Sequence, residues 1–561
     1  FGYTMTWWTW KDWERFIDWM ALNGVNLPLA ITGQESIWHR VWLKLGLDDN
    51  DIRNYFTGPA HLPWHRMTNM DKWQGGLPDS WLNNQEELQK KIVARERELG
   101  MKPVLPAFAG HVPQALTKKY PSAKISMMSS WGGFEDEYRS FFLDPLDPLF
   151  SQIQKLFLEE QTKVYGTDHI YGADPFNEIE SPSWEPDYLA TVARTIYGTM
   201  TQTDKDATWL QMTWLFYNDS QNWTSERINA FVNAVPKGKM LLLDYYAENT
   251  EIWRRTQSYF GQSFLWCYLG NFGGNTMLAG NITKTGKRID ETLQYAGDNF
   301  TGIGSTLEAL DVNPLMYEYV FEKAWNNNLN DSDWITAWAD RRTGLVSYNN
   351  RKVWQDMLST VYNESARLGQ GSLINSRPCM YGYSYWTNPK THYNPTALVL
   401  IWKEMLSVAK SLKTYRDSYI FDIVNVGRQV LGNHFYSLRG KFAEAYAANN
   451  IEDMQKYGKL MEETMTNVEE LLSCHQTFSY HNWMQKADDF GINDKEKQYY
   501  RTNAATLITT WGHPNQALNE YANRTWSGLT EEYYHKRWTM FIQDVISKAK
   551  LGQNFDQRQF N

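Results

Sequence analysis

Along the first 330 residues, short apolar runs alternate with segments of helical period. The runs are 3–7 (YTMTW), 25–31 (VNLPLAI), 102–108 (KPVLPAF), 169–176 (HIYGADPF), 207–216 (ATWLQMTWLF), 239–244 (KMLLLD), 264–270 (FLWCYLG) and 302–307 (GIGSTL). Each is short enough for a buried strand. Between them, residues 11–23 put Trp13, Phe16, Ile17 and Met20 on one face of a helix, and 85–99 reads as another helix. Eight strand runs alternating with helices predict an α/β fold, a (β/α)8 TIM-type barrel in preference to a doubly wound sheet. The long, Trp-bearing gap between residues 31 and 102 (Trp64, Trp73, Trp81) is the kind of insertion that walls a barrel's active-site face.

After about residue 330 the period changes. Segments 350–368, 394–413, 416–449, 451–473, 495–511 and 531–550 are long, amphipathic and nearly free of proline. They predict an all-α domain over 329–561, behind a catalytic barrel over 1–328, with the boundary in the polar stretch 326–334 (NNNLNDSDW).

Composition narrows the function. Aromatic residues make up 15% of the chain, with 27 Trp and 33 Tyr, which favours a carbohydrate partner because sugar C–H faces pack on flat rings. A net charge of −9 argues against nucleic acid, which needs a basic footprint. No run of eighteen apolar residues occurs, so no membrane span is expected. Cys267, Cys379 and Cys474 are too few and too scattered for a disulfide framework or a zinc site, and Cys267 reads as a buried small hydrophobe. His61 and His65 have i, i+4 spacing, but Pro63 between them is expected to break the helix they would need, so no metal or other cofactor is expected.

In a barrel, catalytic groups sit at the C-terminal ends of the strands. Among the residues there, Glu178 (in ADPFNE) and Glu308 (in GSTLE) are a candidate carboxylate pair. Glycoside hydrolysis needs such a pair, one carboxyl to protonate the leaving oxygen and one to attack the anomeric carbon. Helix caps remain open for both. Asn177, Glu178, Glu180 and Pro182 suit a helix N-terminus, and Ser305–Glu308 and Thr32–Glu35 each fit a capping box. His111 is a candidate for a substrate hydroxyl, or equally a structural loop histidine.

The stretches 18–38 (DWMALNGVNLPLAITGQESIW), 55–69 (YFTGPAHLPWHRMTN), 101–113 (MKPVLPAFAGHVP), 166–178 (GTDHIYGADPFNE), 264–275 (FLWCYLGNFGGN) and 509–523 (TTWGHPNQALNEYAN) resemble glycoside hydrolase family 89, through nearly the whole chain. The resemblance implies retaining hydrolysis of terminal α-linked N-acetylglucosamine. Glu178 is then the acid/base, with Asn177 contacting the sugar, and Glu308 is the nucleophile. Trp64, Trp214, Trp511 and Tyr521 would be aromatic pocket walls. Since Trp511 and Tyr521 come from the helical half, that half is expected to complete the site, and Glu180 and Pro182 to begin the helix after Glu178.

The resemblance further implies a small domain and a first barrel strand ahead of residue 1, so this strand is expected to be truncated or missing. A non-catalytic carbohydrate-binding protein with the same pocket is the alternative function, and a metal-dependent barrel hydrolase a third. An apolar contact between Trp511 and Tyr521 falls on Ala517 or Leu518. Low cysteine content suits an extracytoplasmic enzyme, periplasmic or secreted. Sequons at Asn281–Thr283 and Asn363–Ser365 leave a lysosomal setting open. Oligomeric state is not legible.

Overall fold

A computed structural model describes residues 2–364, 371–514 and 516–561. Six strands form one parallel sheet in chain order: β1 (Leu105–Pro106), β2 (Ile170–Gly172), β3 (Thr208–Met212), β4 (Met240–Asp244), β5 (Ser263–Tyr268) and β6 (Phe300–Ser305). Every neighbouring pair is parallel, so all six C-terminal ends meet one rim. Leu29 adds a single parallel bridge to Val104, a seventh position. Among the described residues nothing hydrogen-bonds the 25–31 run to β6. The barrel is therefore open along one seam, and Leu27, Thr301 and Ile303 beside it face the interior.

One strand expectation is corrected and a second is met only in part. Residues Gly2–Met5 of the 3–7 run form a helical turn, and its Tyr3, Met5 and Trp7 are buried by side-chain packing rather than by a ladder. Alternation of apolar residues over five positions cannot separate these cases. The 25–31 run pairs with 102–104 through the N–H groups of Lys102 to the Asn26 carbonyl (2.9 Å), Val104 to the Pro28 carbonyl (2.8 Å) and Ala30 to the Val104 carbonyl (2.9 Å), and the ladder is interrupted where Pro28 has no N–H to donate.

Helices Trp10–Leu22, Asp79–Glu98, Pro148–Tyr165, Pro186–Thr203, Ser225–Asn233, Ile282–Tyr295 and Pro314–Trp325 accompany the sheet. The insertion between 31 and 102 folds as short helices, including Leu62–Arg66 with Pro63 in its first turn. Pro63 therefore starts this helix instead of breaking it, since a first-turn N–H has no intrahelical partner to lose.

The helical half comprises Asp331–Thr343, Tyr348–Thr360, Pro395–Ser411, Asp417–Ala447, Ile451–Leu472, Tyr480–Asp489, Asp494–Ile508 and Lys536–Lys550. The helix expected over 350–368 ends at Thr360, and residues 365–368, like Ser365 of the second sequon, lie outside the described residues. One turn of π geometry, Thr530–His535, precedes the last long helix. The halves share one core: Trp7 and Trp81 meet Tyr500 and Phe490 with ring centroids 5.3–6.0 Å apart.

Candidate active site

A cavity of about 1230 Å³ opens at the C-terminal rim of the sheet and runs down into the barrel. Glu178, six residues past the end of β2, and Glu308, just after β6, both line it. Strands β3, β4 and β5 stand between them in the sheet, so the two carboxyls enter from different sides of one mouth.

Neither glutamate caps a helix. The helix after Glu178 starts at Pro186 with Glu185 as its cap, and the helix after Glu308 starts at Pro314 with Asn313 as its cap. Glu180 and Pro182 are correspondingly in the loop, contrary to expectation. Pro186 fixes the first helical φ, and Ser181 bonds the Ser183 carbonyl in the turn before it. Glu35 caps nothing either, because Arg66 forks onto both its oxygens at 2.7 and 2.8 Å.

Phe176 holds a left-handed backbone (φ 62°), which turns Asn177 and Glu178 toward the mouth. Such a conformation is unfavourable for an aromatic residue and is typical of sites that need an exact direction. Glu178 Oε2 accepts from Asn69 Nδ2 (2.9 Å) and Trp131 Nε1 (2.6 Å), and Oε1 from Trp214 Nε1 (2.6 Å). Burial pushes its pKa above the usual carboxylate value, and the Trp214, Trp131 and Asn69 donors oppose that rise. Asn69 and Trp131 escape the sequence reading; nothing in "RMTNM" or "MSSWGGF" marks them as partners of Glu178.

Glu308 is supported independently. Its oxygens accept from the Gly273 N–H and, at 3.0 and 2.8 Å, from the Tyr521 hydroxyl. Burial pushes its pKa up to about 7, the Gly273 and Tyr521 donors hold it down, and the charge of Glu178 adds to the rise. The glycine pair in FGGN thereby gains a reason. A side chain at Gly273 (φ 63°) would strike the Tyr521 ring and carbonyl at 2.8 Å, and one at Gly274 would strike Ala309 and Arg524. Asn271 ties this loop to the segment after Glu308 by donating to the Ala309 carbonyl. The buried Arg524 donates to the carbonyls of Gly273, Ala522 (2.9 Å) and Tyr3 (3.4 Å), joining loop, helical half and N-terminal turn.

Trp64, Trp131, Trp511 and Tyr3 make one aromatic wall. Trp511 packs on Trp64 (4.6 Å) and Trp131 (5.5 Å) and donates its indole N–H to the Tyr3 hydroxyl (2.7 Å). Its own backbone is left-handed (φ 61°), and His61 braces its carbonyl at 2.9 Å. Between Trp511 and Tyr521 it is Leu518 that lines the cavity, while Ala517 offers its carbonyl to Trp386. Asn177 also lines the cavity; among the described residues its Nδ2 meets only the Met67 sulfur and its Oδ1 has no hydrogen-bond partner. Asp244, at the end of β4, instead accepts from the N–H groups of Ile252 and Trp253. Cys267 is a buried small side chain, as read from sequence.

His111 does not line the cavity. Its Nε2 meets Asp71 Oδ1 at 2.6 Å, beside His65, whose Nδ1 is 3.2 Å from the same oxygen. Burial drags His111 to about 3 and His65 to about 4, and lifts Asp71 to about 6. These three donor atoms lie close enough to share a cation. They sit behind the turn that carries Asn69, where His111 braces Asp71.

A parallel barrel rim, two shielded carboxylates and a wall of indoles define a class: the glycoside-processing barrels. The alpha-N-acetylglucosaminidase (NAGLU) tim-barrel domain matches residues 1–327, and the C-terminal domain of the same family matches 334–561. The chain belongs to this family, glycoside hydrolase family 89. It is 38% identical over 564 residues to human alpha-N-acetylglucosaminidase, covering 100% of this chain and 75% of the human one. The family 89 glycoside hydrolase from Clostridium perfringens, solved in complex with PUGNAc, superposes with a TM-score of 0.92 at 28% identity over 100% of this chain. A variant of that enzyme with two glutamates replaced by glutamine, in complex with its substrate GlcNAc-alpha-1,4-galactose, superposes at 0.91 with 28% identity. The chain spans 64% of the length of these clostridial chains.

Proposed function

We propose that this protein is a retaining glycoside hydrolase that removes terminal α-linked N-acetylglucosamine from glycans. The observation that carries this is the pair Glu178 and Glu308, shielded in one aromatic cavity and held by separate sets of donors. Ionised Glu308 attacks the anomeric carbon while the carboxyl proton of Glu178 passes to the leaving oxygen as the C–O bond breaks. Oε1 of Glu178 has one donor and Oε2 has two, so Oε1 has the room for that proton. Glu178, now ionised, takes a proton from water, the water oxygen attacks the anomeric carbon, and Glu308 leaves with its electron pair. Configuration is retained.

The wall Trp64–Trp511–Leu518 receives the apolar sugar face, and the unpartnered Asn177 Oδ1 accepts from a sugar hydroxyl or amide. Substrate is a glycan, and the setting extracytoplasmic; among the described residues no helix is long and apolar enough to cross a membrane. A mechanism-based fluoro-sugar tests the reading. It should trap a covalent adduct that peptide mapping places on Glu308. An active protein with no adduct there would assign nucleophilic attack to the substrate's own acetamido group.

A further inference from the structure

We infer that Asp71 is a positioning residue for the acid/base carboxylate, acting through Asn69. Gripped by His111 and His65, it fixes the turn that sets the Asn69 amide on Glu178. The inference rests on the glycosidase reading above, in which Glu178 gives up the proton, and adds to it how that carboxyl is aimed.

Glu178 lines the cavity and Asp71 does not, yet the link between them is short. The turn after helix Leu62–Arg66 carries Met67, whose sulfur meets Asn177 Nδ2 at 3.4 Å, and Asn69, whose Nδ2 donates to Glu178 Oε2 at 2.9 Å. Thr68 in that turn and Lys72 just after it hold left-handed backbones (φ 66° and 65°), which persist only where surrounding groups enforce them. Asp71, two residues past Asn69, is 1% exposed. Its Oδ1 accepts from His111 Nε2 at 2.6 Å and lies 3.2 Å from His65 Nδ1, which also faces the Met70 carbonyl at 3.2 Å. A zinc ion shared by these groups would hold Nε2 and Oδ1 about 3.3 Å apart, so the 2.6 Å contact is a hydrogen bond. A buried carboxylate held in this way cannot slide without leaving a polar group unpaired.

The second donor on Glu178 Oε2 belongs to the same body. His111–Val112 pairs with Phe141–Leu143, which pairs with Ile125–Met127, and the connection between those last two strands carries Trp131. The turn docks on this hairpin where Ser140 Oγ donates to the Thr68 carbonyl (2.6 Å) and the Asp71 N–H to the Tyr138 carbonyl (2.8 Å). The His111–Asp71 bond therefore joins the segment that brings Asn69 to the one that brings Trp131, and the two donors pin Oε2 together. The terminal torsion of a glutamate is broad, so a carboxyl held at one oxygen can swing. Pinning Oε2 keeps Oε1 aimed at the leaving oxygen, and the same donors stabilise the carboxylate that forms once the proton has gone.

The test uses the full chain and two substrates. One is GlcNAc α-linked to galactose, whose leaving oxygen needs a proton; the other is the α-GlcNAc dinitrophenyl glycoside, whose phenol leaves without one. His111→Phe keeps a ring in place and removes the donor to Asp71. Its kcat/KM should fall about tenfold more on the disaccharide than on the aryl glycoside. His111→Gln, whose amide N–H reaches the same oxygen, should restore most of that difference. In an Asn69→Ala background His111→Phe should add nothing to it, because the path to Glu178 is already cut. Equal losses on both substrates, as partial unfolding would give, overturn the inference, and so does an undiminished effect in the Asn69→Ala chain. A crystal structure of the His111→Phe chain reads the link without turnover: Asn69 Nδ2 should lie beyond hydrogen-bond distance of Glu178 Oε2, and a bond kept at 2.9 Å overturns the inference too. An unaltered chain that hydrolyses neither substrate would end the glycosidase reading instead, with the structural comparison still deciding the link.

Discussion

The hydroxyl of Tyr521, a residue of the helical half, donates to both carboxyl oxygens of Glu308, a residue of the barrel. The site is therefore complete only when the two halves are docked. The bond also tunes acidity, because it opposes the burial that pushes Glu308 up to about 7.

Tyr521→Phe should lower kcat by about one to two orders of magnitude, as expected for losing a hydrogen bond to a charged group. Removing the donor raises the Glu308 pKa further, so less of it is ionised at a given pH. The acid limb of the kcat/KM profile, already well above that of a free carboxyl, should move to higher pH. A limb that stays in place or moves down would separate Tyr521 from Glu308 ionisation.

Glu178→Gln removes the proton donor and keeps the shape. Substrates with ordinary sugar leaving groups should lose about 10²–10⁴-fold in rate. Aryl substrates with strongly acidic leaving groups should lose far less in the glycosylation step, since they depart without protonation. Equal losses across a leaving-group series would end the acid assignment.

Arg524→Met leaves the Gly273, Ala522 and Tyr3 carbonyls without their donor. Stability should fall by about 2–4 kcal/mol, and kcat should drop more than KM rises, because the Gly273 N–H drifts from Glu308. Denaturant melts and steady-state kinetics on the same preparation check both.

Glu96 lies buried in helix Asp79–Glu98, with one oxygen unpartnered and burial pushing its pKa to about 8. The folded chain thus binds this proton more tightly than the unfolded chain. Its contribution to stability therefore falls as pH rises from about 4.3, the unfolded value, to about 8. Glu96→Gln should flatten that slope and raise stability at pH 7 by on the order of 1–3 kcal/mol. A melt series from pH 5 to 8 with parallel curves for both chains would refute it.

Four of the six paired strands lie within the apolar runs read from the sequence, while β5 begins one residue and β6 two residues before its run, because parallel strands covered on both faces need nothing but apolar residues. The 3–7 run failed for the same reason in reverse: burial makes YTMTW apolar whether it is a strand or a turn of helix. Helices Asp331–Thr343 and Tyr480–Asp489 lay outside the segments read as helical. The first carries Asp331, Asp333, Asp340, Arg341 and Arg342 across its turns, which blurs the apolar stripe.

The sequence by itself determined the alternation of strands and helices, the change of period near residue 330 and the position of Glu178 and Glu308 at strand ends. Those features are local, written in spacing of a few residues. Tertiary structure alone decided that Asn69 and Trp131 hold Glu178, that His111 meets Asp71 and is not part of the cavity lining, and that Leu518 lines the pocket where Ala517 does not. It also decided that Gly273 must lack a side chain for Tyr521 to reach Glu308. Each is a contact across 40 to 250 residues of chain, and the physical cause is packing in three dimensions: which groups share a low-dielectric cavity is fixed by how the halves dock.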